Sequence, residues 1–332
     1  MNLDSSLREC LLRAGTLNLD AGVYTTNGVV DFAGLGYRNL RSELKIQGKG
    51  VNLTTIKVDD LLVSGDNGFN VAFTSWHGNH LYDVEISDLT IDCNYIALQT
   101  RYPNLNISLR GVVLFGSNCT LRNVRVINSA GFRKETNGER EETFVLALGG
   151  EVAHSVACVI DNCSVDSIAG GYISAISMLG SLNNHVIGGQ IKNCKVVGRY
   201  NAAEDLNLYG LNLQYSENLV YTNNQLVYCQ RGIGNDTGTN KRWIIKDNLF
   251  DSCGCGIFLH TSQDTLIKNN VFRTPGNYDA MRIGSNGKNA LFTDNTVVLD
   301  KTRLKGKKYL VLEGKGAKIK ENNTTILVSD FS

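Results

Sequence analysis

The feature that most constrains this chain is a short internal repeat. Val159-Ile-Asp-Asn-Cys163-Ser-Val recurs as Gln190-Ile-Lys-Asn-Cys194-Lys-Val, Val220-Tyr-Thr-Asn-Asn224-Gln-Leu, Ile244-Ile-Lys-Asp-Asn248-Leu-Phe, Leu266-Ile-Lys-Asn-Asn270-Val-Phe and Leu291-Phe-Thr-Asp-Asn295-Thr-Val, then more weakly as Ile319-Lys-Glu-Asn-Asn323-Thr-Thr. Taking the fifth residue as a marker, successive copies lie 31, 30, 24, 22, 25 and 28 residues apart. Each copy reads as an apolar strand, an Asn-containing bend and a second apolar strand. Such a unit cannot bury its inner face alone, so it must stack on copies of itself. Leucine-rich repeats share the period but need a Leu-x-x-Leu-x-Leu frame that is missing here.

Stacking places Asn224, Asn248, Asn270, Asn295 and Asn323 above one another at the strand spacing of about 4.8 Å, as a hydrogen-bonded ladder. Cys163 and Cys194 take the same position in earlier coils, and Cys229 and Cys253 form a second small stack. The 332 residues include 36 Asn and 34 Gly against 2 Pro, the composition of a chain with many tight turns through the left-handed backbone region. With 42% hydrophobic and 20% charged residues a core can form, and a net charge of +1 argues against general electrostatic binding to nucleic acid. The start has neither the basic nor the apolar part of a signal peptide, and no stretch has the roughly 20 apolar residues of a membrane span. Nine cysteines are an odd set, read as mostly free and buried; Cys253-Gly-Cys255 is a poor zinc motif.

Upstream the pattern continues less regularly through Val84 to Cys93 and Cys119 to Ile127. Ser6-Leu-Arg-Glu9 reads as a capping box, which predicts a short N-terminal helix covering the open end of the solenoid. The expected organisation is one domain: a capping helix over 1–16, β-helix coils over 17–300 and a basic final coil or cap over 301–332.

Gly15-Thr-Leu-Asn-Leu-Asp-Ala-Gly-Val-Tyr24, followed by Leu44-Lys-Ile-Gln-Gly-Lys-Gly-Val-Asn-Leu-Thr-Thr-Ile56, resembles the opening coils of right-handed parallel β-helix proteins of the pectate-lyase-like superfamily. The resemblance implies an all-β, right-handed parallel β-helix of about ten coils. It implies a polysaccharide as substrate or receptor, and it is weak for activity, because the superfamily holds lyases, hydrolases, epimerases and phage tailspikes. Read with the missing export signal, it favours a tailspike or similar virion or extracellular protein, with a homotrimer implied by that resemblance alone. Calcium is likewise a family expectation with no motif here; no other cofactor or metal is expected, nor membrane insertion.

Strand alternation applied to Leu211-Asn-Leu-Gln214, Ile233-Gly-Asn-Asp236, Ile257-Phe-Leu-His260 and Met281-Arg-Ile-Gly284 puts Asn212, Gly234, Phe258 and Arg282 in one outward row and Gln214, Asp236, His260 and Gly284 in the next. Asp236, His260 and Arg282 are the leading catalytic candidates. In a lyase, Arg282 would neutralise a uronate carboxylate, His260 would take the proton alpha to it and Asp236 would orient the imidazole. A hydrolase would instead pair Asp236 with Glu204 or Asp205. The same three residues also read as a solvated surface ion pair, and polygalacturonase and alginate-epimerase motifs are missing, so lyase, hydrolase and non-catalytic binder or fibre protein all stay open. Asn212, Gln214, Tyr209, Tyr215, Phe258 and Lys241 are the substrate-binding candidates, with Tyr200 and Trp243 flanking. A second candidate region spans Trp76, His77, His80 and the charged run 133–142, read as a protruding loop. His154 and His185 read as ordinary strand or turn residues, and the basic stretch Lys301–Lys320 either as a contact for an anionic polysaccharide or partner subunit or, the favoured reading, as an edge protected from aggregation.

Overall fold

The computed structural model of the chain describes residues 3, 15–26, 30–32, 41–75, 80–132, 142–166, 168–199, 208–235, 238–274, 279–301, 309–313 and 318–329. Short strands wind into three long ladders of parallel strands. The first begins with Thr16–Asn18, Arg41–Gln47, Leu81–Asp92 and Thr120–Ile127 and ends at Ile319–Asn322. The second runs from Gly22–Thr26 and Thr54–Val58 to Thr325–Ser329. The third climbs through Asn67–Thr74, Asn106–Ser117, Thr143–Gly149, Ile173–Leu179, Leu208–Gln214, Arg231–Asn235, Cys255–Leu259, Asp279–Ile283 and Leu310–Leu312. A short fourth ladder joins Ser155–Val156, Val186–Ile187, Ser216–Glu217, Asn240–Lys241 and Ser262–Gln263. Apart from the antiparallel pairings of Leu62–Ser64 with Asn67–Thr74 and of Ala130 with Leu109, the rungs pair each strand with its equivalent in the next coil, which makes the fold a right-handed parallel β-helix. Of the expected N-terminal cap, Leu3 is helical and fully buried, and most of the remainder lies outside the described residues. One seven-residue helix, Tyr95–Arg101, projects where the chain passes from the second to the third ladder. Among the described residues no helix is long and apolar enough to cross a membrane.

The bend inside each repeat explains the Asn content. Asp88, Asn123, Asn162, Asn193, Asn223, Asp247, Asn269, Asp294 and Asn323 all have φ between 51° and 60°. An L residue enters this region at a cost that Asn and Asp bear best, and proline, with φ fixed near −65°, cannot enter it. The residue after each bend turns inward. There the Oδ1 of Asn248 accepts both the backbone N–H and the Nδ2–H of Asn224 at 2.9 Å, and Asn248 Nδ2 donates to Tyr221 O at 3.1 Å and to Asn270 Oδ1 at 2.9 Å. Asn270 repeats the pattern on Asn295, and Cys194 N–H donates to Asn224 Oδ1 at 2.9 Å, so Cys163 and Cys194 occupy the inward row as their spacing predicts.

The last copy departs from the sequence alignment by one residue. Ile319 pairs with Ala290 and Thr325 with Thr296, so Asn323 sits in the left-handed row, exposed, and Thr324 takes the marker position. Apolar matching alone aligned Ile319 with Leu291. Thr324 Oγ1 is buried without a partner there.

The core is one continuous column reaching from Leu3 to Leu299. Phe250 and Phe272 stack at 4.7 Å between ring centroids, and a Cβ on Gly232 would lie 2.5 Å from the Phe250 ring, so a larger residue there would collide. The eight described cysteines are free and buried, as expected. Burial, reinforced by Asp92 beside Cys93 and by Asp279 beside Cys255, pushes these two thiols up, Cys255 to about 12, whereas the hydrogen bond from Cys119 lowers Cys158. Hydrogen bonding to Cys253 and then burial raise Cys229, while burial and then Cys163 raise Cys194.

Two predictions follow from this packing. Asn248→Ala leaves several buried polar groups unpaired and should cost about 3 kcal/mol in urea unfolding, while Thr324→Asn extends the ladder to Asn295 and should add about 1 kcal/mol. Thiols held protonated only in the folded state stabilise it below the unfolded thiol pKa of about 8.5 and lose that contribution as pH rises through the folded value. Stability should therefore fall progressively above about pH 9, and iodoacetamide at mildly alkaline pH should leave the described thiols unmodified until urea is added; alkylation of the folded protein at Cys194 or Cys229 would refute this.

Candidate functional site

On the third ladder the register puts Asn212, Gly234, Phe258 and Arg282 in one outward row, in the order the sequence predicts. Gln214, His260 and Gly284 follow in the neighbouring row, where a Cβ on Gly284 would lie 2.3 Å from His260 Nδ1. Asp236, Glu204 and Asp205 lie outside the described residues, as do Tyr200, Trp76 and His77. A second outward row, three residues earlier on each strand, carries Phe144, Ser174, Tyr209, Arg231, Cys255 and Asp279.

The face changes character along the solenoid axis. In the earlier coils Val71, Val113, Phe115, Ala147 and Leu179 form a buried apolar patch outside the main core, with Phe144 packed against it. The next coils are polar. Glu142, just ahead of the strand Thr143–Gly149, accepts hydrogen bonds at Oε1 from Ser174 Oγ and from Asn212 Nδ2 at 2.7 Å, and Gln214 Nε2 approaches its Oε2 at 3.5 Å. Asn212 Nδ2 also reaches Ser174 Oγ at 3.0 Å. Asn212 Oδ1 and Ser177 Oγ, adjacent in the same row, are buried and accept or donate no hydrogen bond.

Beyond this nest the Arg231 guanidinium lies 4.2 Å from the Phe258 ring centroid and 5.0 Å from that of Tyr209, and donates to the Tyr209 hydroxyl. Phe258 stacks on His260 at 6.0 Å, and the His260 backbone N–H is held by Asn235 Oδ1 at 2.9 Å. Arg282 closes the face, bonded through Nε to Asp279 at 2.5 Å and through Nη1 to Glu313 at 3.1 Å.

Several candidates differ from expectation. Tyr209 and Phe258, expected as open stacking platforms, are only 6% and 8% exposed, because Arg231 covers both rings. Arg282 is not an open fork, since both arms of its guanidinium already hold carboxylates. Tyr215 and Lys241 belong to the fourth ladder and its corner, where Tyr215 approaches His185 at 6.1 Å and Lys241 pairs with Glu217. Trp243 is a core residue, fully buried, with its Nε1–H on Ser216 Oγ at 3.1 Å. His80 is 4% exposed and bonds Ser117 Oγ at 3.0 Å; burial lowers its pKa, keeping the ring neutral. Sequence reasoning missed Glu142, Ser174 and Ser177. The signal available was the two serines three residues apart in Ile173-Ser-Ala-Ile-Ser177 and an acid directly before an apolar strand.

A family described as "Periplasmic copper-binding protein (NosD)" matches residues 149–325, more than half of the chain. The chain belongs to the NosD family. Among solved structures it is similar to the Dettilon tailspike protein (TM-score 0.66, 12% identity, 98% of this chain and 58% of that one). It is also similar to the endo-xylogalacturonan hydrolase of Aspergillus tubingensis (0.61, 12%, 97% and 87%) and to the surface adhesin PfbA of Streptococcus pneumoniae (0.60, 14%, 98% and 94%). These likenesses establish the fold; the chain spans little more than half of the tailspike. No curated protein sequence matches it.

The copper in the NosD description finds no matching donor set among the described residues. No three His, Cys, Asp or Glu side chains gather as a metal group there. The rings of His154 and His185 lie 6.0 Å apart between centroids. His154 Nδ1, however, accepts the His185 backbone N–H at 2.9 Å, and His185 Nδ1 bonds Glu217, which also holds Arg242 at 2.6 Å. The described thiols are all buried, and a thiolate is the form that binds metal.

Gly284→Ala should displace the His260 ring and press on its backbone, since the added Cβ would lie 2.3 Å from Nδ1 and 2.9 Å from the His260 Cα. The His260 ring signals in a proton–nitrogen NMR spectrum should shift by far more than those of His185; unmoved His260 signals would show that the contact is absent.

Proposed function

We propose that the protein is a polysaccharide-active β-helix whose glycan site lies on the outward face of the third ladder, between Glu142 and Arg282. The observation that carries this reading is the pair of buried polar atoms without partners, Asn212 Oδ1 and Ser177 Oγ, beside the Glu142 carboxylate on an outward face. Buried polar groups are nearly always satisfied, and the exceptions call for a ligand or a bound solvent molecule. A sugar hydroxyl both donates and accepts, so it suits an amide oxygen, a serine hydroxyl and a carboxylate grouped together. The adjoining Arg231, His260 and Arg282 would meet an acidic substituent further along the same chain. Asp236, Glu204 and Asp205 are kept in the proposal as the candidate acids from the sequence, with His260 as base in a lyase or a carboxylate pair in a hydrolase. The tailspike and hydrolase relatives of this fold support a cell-surface polysaccharide as target and a setting outside the cytoplasm, in a virion or at a cell surface, with a trimer as the tailspike-like assembly.

One observation favours a second reading, a non-catalytic glycan binder like an adhesin. Arg282 is committed to Asp279 and Glu313, so it has no open fork for a uronate carboxylate.

Incubation with a panel of acidic and neutral polysaccharides separates these readings, following unsaturated uronate absorbance, reducing ends and binding together. Glu142→Gln and Asn212→Ala should each weaken binding about tenfold with folding intact, the loss of one or two hydrogen bonds to a bound sugar. Binding without either product signal selects the adhesin reading. Unchanged affinity in both variants would move the site off this face.

A further inference from the structure

A second face carries a groove that the proposed site does not use. It lies at the corner between the first and second ladders, holds about 480 Å³ and crosses several coils. One wall is the left-handed bend row, Asp88, Asn123, Asn162 and Asn193. The other is an outward row of the second ladder in which Arg125, Ser164 and Lys195 stand opposite one another on consecutive coils.

The amide wall is fixed by its own hydrogen bonds. Asp88 accepts from Gln47 Nε2 at 3.1 Å and from Asn123 Nδ2 at 2.7 Å, Asn162 Nδ2 donates to Asn123 Oδ1 at 2.7 Å, and Asn193 Nδ2 donates to Asp161 Oδ1 at 2.8 Å. These bonds use the amide N–H groups toward the neighbouring coil. Among the described residues the Oδ1 atoms of Asn162 and Asn193 accept no hydrogen bond and are left for hydroxyl donors. On the cationic wall Arg125 shares its charge with Asp166, bonded through Nε and Nη2 at 3.2 and 3.0 Å, and no bond forms at its Nη1 among the described residues. Lys195 is exposed, with no acidic partner among the described residues. The groove is therefore a strip of hydroxyl acceptors beside two cations.

The spacing decides what such a strip fits. Arg125 and Lys195 are separated by two coil steps, about 9.6 Å at the usual strand spacing. Two pyranose residues of an extended glycan cover nearly the same length, so the two cations match carboxylates on every second sugar, with the intervening neutral sugar beside Ser164. Flat apolar ligands have little to gain here, because the floor offers chiefly Val51, Val124 and the edge of Cys163.

We infer that this groove is a separate docking site for an acidic polysaccharide with one carboxylate per disaccharide, held by Arg125 and Lys195 and read by the Asn bend row. It is independent of the site between Glu142 and Arg282. It would hold a long substrate on the solenoid while the other face works on it or grips it elsewhere.

Hyaluronan octasaccharide serves as the probe, with polygalacturonate oligomers, which carry a carboxylate on every sugar, and neutral cello-oligosaccharides as comparisons. Isothermal titration of the full chain should show hyaluronan binding that weakens steeply with salt and exceeds binding of the neutral oligomer. Arg125→Ala with Lys195→Ala should weaken it about tenfold or more, the loss of two charge-assisted contacts. Both side chains are surface groups, so circular dichroism should be unchanged, and Lys195→Gln alone should give an intermediate loss. Arg125→Ala with Lys195→Ala should leave untouched the glycan binding that Glu142→Gln weakens on the third-ladder face, so failure of this groove and failure of that site are read from different variants. Equal binding of the neutral oligomer, no hyaluronan binding, or full affinity in the double variant would overturn the proposal.

Discussion

Everything in this molecule depends on the backbone hydrogen bonds that join each strand to the equivalent strand one coil away. They hold only if every coil turns its corners at the same places, and the corner that does this is a single residue with positive φ followed by an inward Asn. The inward Asn side chain satisfies backbone groups of the preceding coil and donates to the Asn side chain of the next, so each corner fixes its neighbour. This is why the steps between markers can vary from 22 to 31 residues without disturbing the stack: length differences are absorbed in loops elsewhere on the coil, where an unpaired backbone meets water rather than core.

Once the corners are fixed, the outward side chains have no freedom of register. Arg231 must lie against Tyr209 in one direction and Cys255 in the other, and Phe258 must lie beside Arg282. The third ladder shows what such a row can build, passing from an apolar patch through the Glu142 nest to the Arg231 stack and the Arg282 ion pairs. No single coil holds a site; each contributes one or two groups, and the repeat assembles them.

The same logic explains what the sequence disclosed. The inward rows were legible because periodicity and chemistry agree there: Asn224, Asn248, Asn270 and Asn295 recur in one frame, and the register of the outward row from Asn212 to Arg282 follows by alternation. Asn323 misled because in the terminal copy two adjacent Asn residues satisfy the pattern in either frame, and only the pairing of Thr325 with Thr296 decides between them. The nest was hidden for a different reason. Glu142 reaches Asn212 across 70 residues of sequence, and no local pattern marks a contact that depends on how much chain lies between two coils. Exposure was equally unreadable: Tyr209 and Phe258 point outward as alternation requires, yet Arg231 covers them.

A scaffold whose groups recur at the strand spacing is suited to ligands that are themselves periodic. A small ligand would use one coil's worth of contacts and gain nothing from the stack. A polymer whose repeat is near a whole number of coil steps meets the same chemistry again at each step, so modest contacts accumulate along the axis without any one of them being strong. Chain segments of different length between corners then become the means of specificity, because they alone break the repeat. On this molecule the breaks fall around residue 142 and before residue 208, at the edges of the third-ladder face, whereas the Asn-lined corner stays regular. The regular face is fitted to hold a repeating chain, and the interrupted face is where one sugar can be distinguished from the next.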